Sequence, residues 1–231
     1  MKKVAIIQSN YIPWKGYFDI ISQVDEFIFY DDVQYTNRDW RNRNKIKTTD
    51  GFLWLSVPVG ESRNRLICDV KIADNSWQKK HWQSISQFYK KAPFFSEYKY
   101  FFEDFYLNEI YGSLSDMNIN LIKKICREIL NIKTNFKDSR EFNLQSKKEN
   151  RILELLLKTN ATLYLSGPAA KNYIDEQHFA EKHIELKWMD YSGYPEYKQL
   201  FGKFEHAVSI LDLIFNVGKD ASFYVYGWRD K

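Results

Sequence analysis

Cysteine is scarce. The 231 residues hold only Cys68 and Cys126, far apart and in no metal-ligand spacing. That excludes a disulfide framework and fits a reducing cytoplasm, the expected location. Long apolar runs are also missing. None approaches the ~20 residues that cross a bilayer, so no membrane span is expected. The run after Met1-Lys2-Lys3 is too short for a signal peptide. Charge of one sign is lacking too. The net charge is +4, with Lys and Arg mixed among Asp and Glu, so there is no strong nucleic-acid signature. No P-loop, Rossmann glycine fingerprint or Gly-x-Ser-x-Gly elbow occurs, which argues against the enzymes built on them. His178, His183 and His206 carry no recognisable motif, and His81 has no partner at a metal spacing, so no metal is expected.

What is abundant is aromatic: 17% of the chain is Phe, Trp or Tyr. Part must be core, and part can line a pocket, because Tyr and Trp join a flat apolar body to one polar handle. The first forty-five residues are the most informative. The apolar run Val4-Ala5-Ile6-Ile7 ends at Gln8. A loop with Tyr11, Pro13, Trp14 and Gly16 follows, then a helical stretch over 15–23. A second run over 26–30 ends at Asp31-Asp32-Val33-Gln34. This reads as a β-α-β unit, whose strands are nearly always parallel. Ligands gather at the carboxyl ends of such strands. Gln8, Asp31, Asp32 and Gln34 are therefore expected at one rim.

Further along, residues 44–47 and 53–58 flank Thr49-Asp50-Gly51 and read as a hairpin. Residues 66–72 alternate as a strand. Helices are expected from Asn75 or Ser76 onward, over 94–107, and from Ser113 or Ser115. Residues 134–147 read as a polar loop and 148–158 as a helix. Strands follow at 161–165 and 184–188, with a short helix at 175–182 between them. An amphipathic helix is expected over 204–215, closed by Gly218. No internal repeat appears. The expected fold is α/β with a mainly parallel sheet, a β-hairpin excursion and a helical insertion. The chain is expected to be one domain over 1–231. Its halves 1–73 and 161–231 would form the sheet, and 75–158 would be mainly helical.

The strand–Pro/Gly loop–helix start at Gln8 to Tyr17 suits an anion, because free backbone N–H groups point outward there, and Gly16 would allow close approach. The plain alternative is a turn with aromatic packing. Asp31 and Asp32, at a strand end, can bind a metal, take a proton from an amine or bond a sugar hydroxyl. Being paired, one is expected to have a raised pKa. They can equally cap a turn. Gln34 and Tyr35 follow at once. On a strand, Arg41 and Arg43 would share a face and grip a diphosphate, or else form the solvated side of a hairpin. His81, on one helix face with Trp77, is a candidate general base or a surface histidine. Ser166-Gly167, after a strand, can cradle a phosphate or present a hydroxyl.

At these residues the chain resembles the WbqC-like protein family over nearly its full length. The pieces are Gln8 with Tyr11-Ile12-Pro13-Trp14-x-Gly16-Tyr17, Asp31-Asp32-Val33-Gln34-Tyr35, Arg41-Asn42-Arg43-Asn44-Lys45-Ile46, and Trp54-Leu55-x-Val57-Pro58. Trp77 with His81-Trp82, Tyr164-Leu165-Ser166-Gly167 with Tyr173, and Ser209-Ile210-Leu211-Asp212 complete them. The resemblance implies work in bacterial O-antigen and related surface-glycan biosynthesis, on an activated sugar or its amino-sugar precursor, and a nucleotide-linked amino sugar is the expected substrate. The opening layout is also similar to pantothenate synthetases and to nucleotidylyltransferases of HUP type. However, Trp14-Lys15-Gly16-Tyr17 stands where the latter keep His-x-Gly-His, which weakens adenylyl transfer. N-acylation or aminoacylation of the sugar amine is the expected reaction. The acyl source is open among an adenylate made with ATP, a coenzyme thioester and a charged tRNA, and a homo-oligomer is compatible. A non-catalytic nucleotide or sugar binder and an assembly partner of another glycan enzyme are the alternatives.

Overall fold

The computed structural model describes residues 1–61, 64–172 and 174–229. Tyr173, one of the residues carrying the family resemblance, lies outside them. Strands β1 (Lys3–Ile7) and β2 (Glu26–Phe29) run parallel, with Val4 opposite Glu26 and Ile7 opposite Phe29. Helix α1 (Lys15–Ser22) joins them and buries seven of its eight residues. Next come the antiparallel strands β3 (Arg43–Thr48) and β4 (Gly51–Ser56), turning at Thr49-Asp50. Gly51 has φ 120°, a backbone setting that a side chain would resist.

The helical stretch contains α2 (Ser76–Tyr89), α3 (Phe95–Glu103) and α4 (Leu114–Lys124). Ser113 caps α4 by accepting from the Asp116 N–H, as its position in the sequence leads one to expect. Strand β5 (Asn135–Asp138), helix α5 (Lys148–Lys158), strand β6 (Leu163–Ser166), helix α6 (Glu176–Ala180), strand β7 (Glu185–Trp188) and helix α7 (Ile210–Val217) complete the set.

The main sheet has the order β5-β2-β1-β6-β7, and every pairing in it is parallel. Alternation along the strands sorts the core into two layers. Val4, Ile6, Ile28 and Tyr164 pack with Leu155 and Leu156 of α5 and Phe179 of α6. Ala5, Phe27 and Phe29 face α1 and the α2–α4 stretch, together with α7. The chain therefore leaves β1 toward β2 on one side and returns to β6 on the other. The carboxyl end of β1 lies at that switch point, where open α/β sheets keep their crevice.

Three expectations are corrected. The segment 134–147, read as a loop, supplies the edge strand β5. Phe136 is its one apolar residue, so no pattern betrays a short, half-solvated edge. Residues 66–72 form a tight turn, Ile67–Asp69, with isolated bridges from Leu66 to Gln34 and from Lys71 to Ser113. The buried residues there, Ile67 and Val70, are three apart, which is a turn's spacing and not a strand's. The helix expected from Phe204 begins only at Ile210. The Ser209 and Ile210 N–H groups bond instead to the carbonyls of Lys45 and Pro13, and Ser209 Oγ caps the Leu211 N–H.

Residues 189–209 carry no helix or strand, unusually long for a connection in such a domain. Side-chain anchors hold this strap. Tyr194 donates to Asp19, Tyr197 and Gln199 to Asp212, and Lys47 to Gln199 and the Lys203 carbonyl.

Candidate functional site

Neighbouring parallel strands deliver Gln8 and Asp31 to the same edge of the sheet. Asp31 is fully buried. Its carboxylate accepts from the Ser9 N–H at 2.8 Å, from Ser9 Oγ at 2.6 Å and from Ser115 Oγ. Burial raises its pKa, while these donors pull the other way. Gln8 Oε1 accepts from Arg41 Nη2 at 2.8 Å, and Arg41 Nη1 pairs with Asp39 at 3.1 Å. Asn118 of α4 ties the parts together by donating to the Arg41 carbonyl at 2.8 Å and to Ser9 Oγ at 3.4 Å. Around this knot, Asn10 Oδ1, Arg41 Nε and Asn118 Oδ1 are buried without a protein partner. Buried polar atoms are nearly always paired, so these three make the knot a candidate site.

Beside the knot lies a cavity of about 200 Å³ lined by Asn10, Pro13, Trp14, Trp40, Asn44 and Ala207. Asn44 shapes its wall by donating to the carbonyls of Tyr11 and Ile12. Trp14 meets Tyr191 and Tyr194 edge-on at 5.2 and 6.0 Å. Its ring also folds over Gly16, where a Cβ would lie 2.3 Å from it. The glycine thus makes room for Trp14 and not for an approaching ligand. Tyr17 is buried and donates to the Gln8 carbonyl.

Other expected site residues go elsewhere. Asp32 turns away from Asp31, as consecutive residues at a strand end do, and meets Ser139 Oγ and Arg151 Nη2. The raised pKa of Asp31 therefore comes first from burial and not from its neighbour. Arg41 precedes β3 and its guanidinium is held by Gln8 and Asp39, whereas the Arg43 guanidinium lies 4.5 Å from the Trp54 ring centroid. The two arginines are thus engaged by different partners, although both bring positive charge toward Tyr35. His81 is buried and holds Tyr11 at 2.8 Å, and Tyr11 in turn meets Tyr106 at 2.7 Å. Burial lowers the His81 pKa to about 4, against a bond to the Ser56 backbone. The neutral ring donates to Ser56, accepts from Tyr11 through Nδ1, and so places Tyr106 as donor to Tyr11. Gln34 is exposed beside the bridge to Leu66, and the Tyr35 hydroxyl is buried without a partner. Ser166 is buried with its hydroxyl on Tyr164 at 3.3 Å, and Gly167 is half-buried under the Tyr191 hydroxyl.

The sequence of residues 8–224 matches the WbqC-like protein family. The chain belongs to that family. A relative from Mycobacterium tuberculosis (strain ATCC 25618 / H37Rv), bearing the name uncharacterized protein Rv1507c, is 48% identical over 228 residues, covering 97% of this chain and 98% of its own. No solved structure matches. In this WbqC-like chain, Asn10, Trp40, Asn44, Ser115 and Asn118 join the site without having been singled out as site residues. Asn10 lies two residues after Gln8, so its loop was the available signal. Ser115 and Asn118 sit three apart on a helix about a hundred residues away, and nothing local points from them to Asp31. Among the described residues, no group of three or more acidic, Cys or His side chains can hold a metal ion. Nor is any helix there long and apolar enough to cross a membrane.

Proposed function

We propose that this WbqC-like protein serves bacterial surface-polysaccharide biosynthesis by binding a nucleotide-linked amino sugar at the β1 edge and acylating or aminoacylating its amino group. The carrying observation is the Gln8–Arg41–Asn118 knot, with its unpartnered Asn10 and Arg41 atoms beside an amide-and-tryptophan cavity. Aromatic planes with a few convergent amides suit a sugar, and a guanidinium suits the attached phosphate. The strand order supports a nucleotidylyltransferase-like, HUP-type layout, in which the crevice at the switch point takes the nucleotide.

In the reaction, the sugar nitrogen forms a bond to the acyl carbon of an activated donor. The bond to the donor's leaving group breaks, and one proton leaves the ammonium to a base. Asp31 and His81 are enclosed, whereas Asp32 keeps 13% of its side chain exposed. Asp32 is thus the most accessible of the three, but it faces Ser139 and Arg151 and not the cavity, so the role of base requires its carboxylate to leave Arg151 and turn toward the sugar nitrogen. Purified protein is incubated with dTDP-amino sugars, ATP and, separately, acyl-coenzyme, amino-acid and aminoacyl-tRNA donors. A mass gain of one acyl group on a sugar is expected, and it should vanish with Asp32→Asn. No gain on any sugar overturns the reaction.

A specific observation favours a second reading. All three candidate bases are already bonded within the protein, which suits a binder without turnover. Calorimetry showing nucleotide-sugar binding, with no product from any donor, selects that reading.

A further inference from the structure

The β3–β4 hairpin bears two large exposed rings, Phe52 and Trp54, and Trp40 just before it packs against Trp54; each is more than 40% accessible. A single exposed hydrophobic ring is ordinary, but several in one patch are informative. Two of them carry a cation. The Arg43 guanidinium lies 4.5 Å from the Trp54 centroid, and Lys45 Nζ lies 4.1 Å from that of Phe52. Trp40 and Trp54 tilt toward each other at 5.6 Å and 34°. Among the described residues neither Arg43 nor Lys45 has an ion-pair partner, in contrast to Arg41. Planes for stacking thus alternate with unspent positive charge.

This ledge does not end in solvent. Trp40 is also a wall of the cavity that Trp14, Asn10 and Asn44 line. At about 200 Å³ the cavity is smaller than the roughly 300–1,000 Å³ typical of pockets for drug-sized ligands, so a whole nucleotide sugar cannot fit inside. One sugar ring can. Amides and an edge of indole are what such a ring needs, and the ledge offers what the rest of the molecule needs.

From this continuity we infer that the hairpin ledge is the seat of the nucleoside-diphosphate half of the ligand, with its base stacked on Trp54 and Trp40, its phosphates on Arg43 and Lys45, and its sugar turned inward past Trp40 to Asn10. The inference rests on the nucleotide-sugar reading above and adds an orientation to it. Indole planes and flexible cations read no base edge, so the ledge accepts different bases, and selectivity resides in the sugar. Nothing in the amino-acid pattern alone links Trp40 to Trp14. The cavity does.

The test uses the intact protein and tryptophan fluorescence or calorimetry, with UDP, dTDP, GDP and their amino-sugar conjugates as probes. The three free diphosphates are expected to bind alike, more weakly as salt rises. Trp54→Ala, at an exposed position, and Arg43→Ala, at a partly buried one, should each weaken the diphosphates about tenfold, the effect of removing one stacking plane or one phosphate contact. Asn10→Ala should weaken only the sugar conjugates. If the conjugates bind wild type but Trp54→Ala and Arg43→Ala bind them equally well, the ledge is not the seat, while the nucleotide-sugar reading stands. If Asn10→Ala weakens free diphosphates instead, the orientation is reversed. If wild type binds no conjugate, the reading itself falls and takes the ledge with it. Tighter binding of a single-stranded RNA oligomer than of any conjugate would overturn the proposal in favour of a polynucleotide surface.

Discussion

At the level of single residues, burial decides what a titratable group can do. His81 is 7% exposed and its pKa is lowered to about 4 by desolvation. In the unfolded chain it titrates near 6.5. The folded state therefore holds this proton less tightly, so the stability from neutral His81 is intact above about pH 6.5 and is lost as pH falls toward about 4. The full loss is roughly 3 kcal/mol. Urea midpoints at about pH 7 and about pH 4.5 should fall less for His81→Phe than for wild type, and equal falls would acquit His81. Asp31 answers to the same logic in another form. Asp31→Ala leaves Ser9 N–H, Ser9 Oγ and Ser115 Oγ without their acceptor. A loss of about 2–3 kcal/mol is expected in urea unfolding, and a loss under about 0.5 kcal/mol would mean that water replaces the carboxylate freely. Residue type alone suggested both groups as bases. Their environments, made by chain segments far away, removed them from that role.

Elements were legible where a period ran long enough. Strand β1, helix α1 and strand β2 fall where the apolar runs and the Pro/Gly loop put them, and α2 and α5 follow their helical spacing. Strand β5 was not legible, because an edge strand with one apolar residue carries no alternation. The start of α7 was hidden for a different reason: its first N–H groups bond to Lys45 and Pro13, which only the fold brings near. The loop before α1 carries a prediction of its own. Gly16→Ala would place a methyl carbon 2.3 Å from the Trp14 ring, so the indole must leave the cavity wall. An overpacking cost of about 1–3 kcal/mol is expected, with a shift in tryptophan emission. Trp14→Ala should largely abolish the extra cost of Gly16→Ala in a double-mutant cycle, because the clash partner is gone. Additive costs would show that the ring is not the obstacle.

Across the whole molecule, the strap and the segment near the C-terminus are pinned to the first helix. Asp19 of α1 is fully buried and accepts from Arg229 through both Nε and Nη2, and from the Tyr194 hydroxyl of the strap. Arg229→Ala strands that carboxylate. A destabilisation of about 3–5 kcal/mol is expected, and adding Asp19→Asn should recover part of it. Chemical denaturation of the two variants checks this, and a double variant no better than the single would place the stabilisation elsewhere. The strap itself lies across the switch-point crevice, with Tyr191 over the Gly167 turn and against Trp14. Anchors as distant in sequence as Lys15 and Pro195, or Lys47 and Lys203, hold it there.

The sequence by itself determined the layered α/β class, the parallel pairing of the first strands, the hairpin and the family, because each is written in local period, turn chemistry or motif. Only the tertiary structure decided which polar residues meet. Gln8 finds Arg41, Asp31 finds Ser115, and Trp40 finds Trp14 across a cavity. Such meetings depend on the order of strands and the path of a long strap, and side-chain chemistry has no local signature for either.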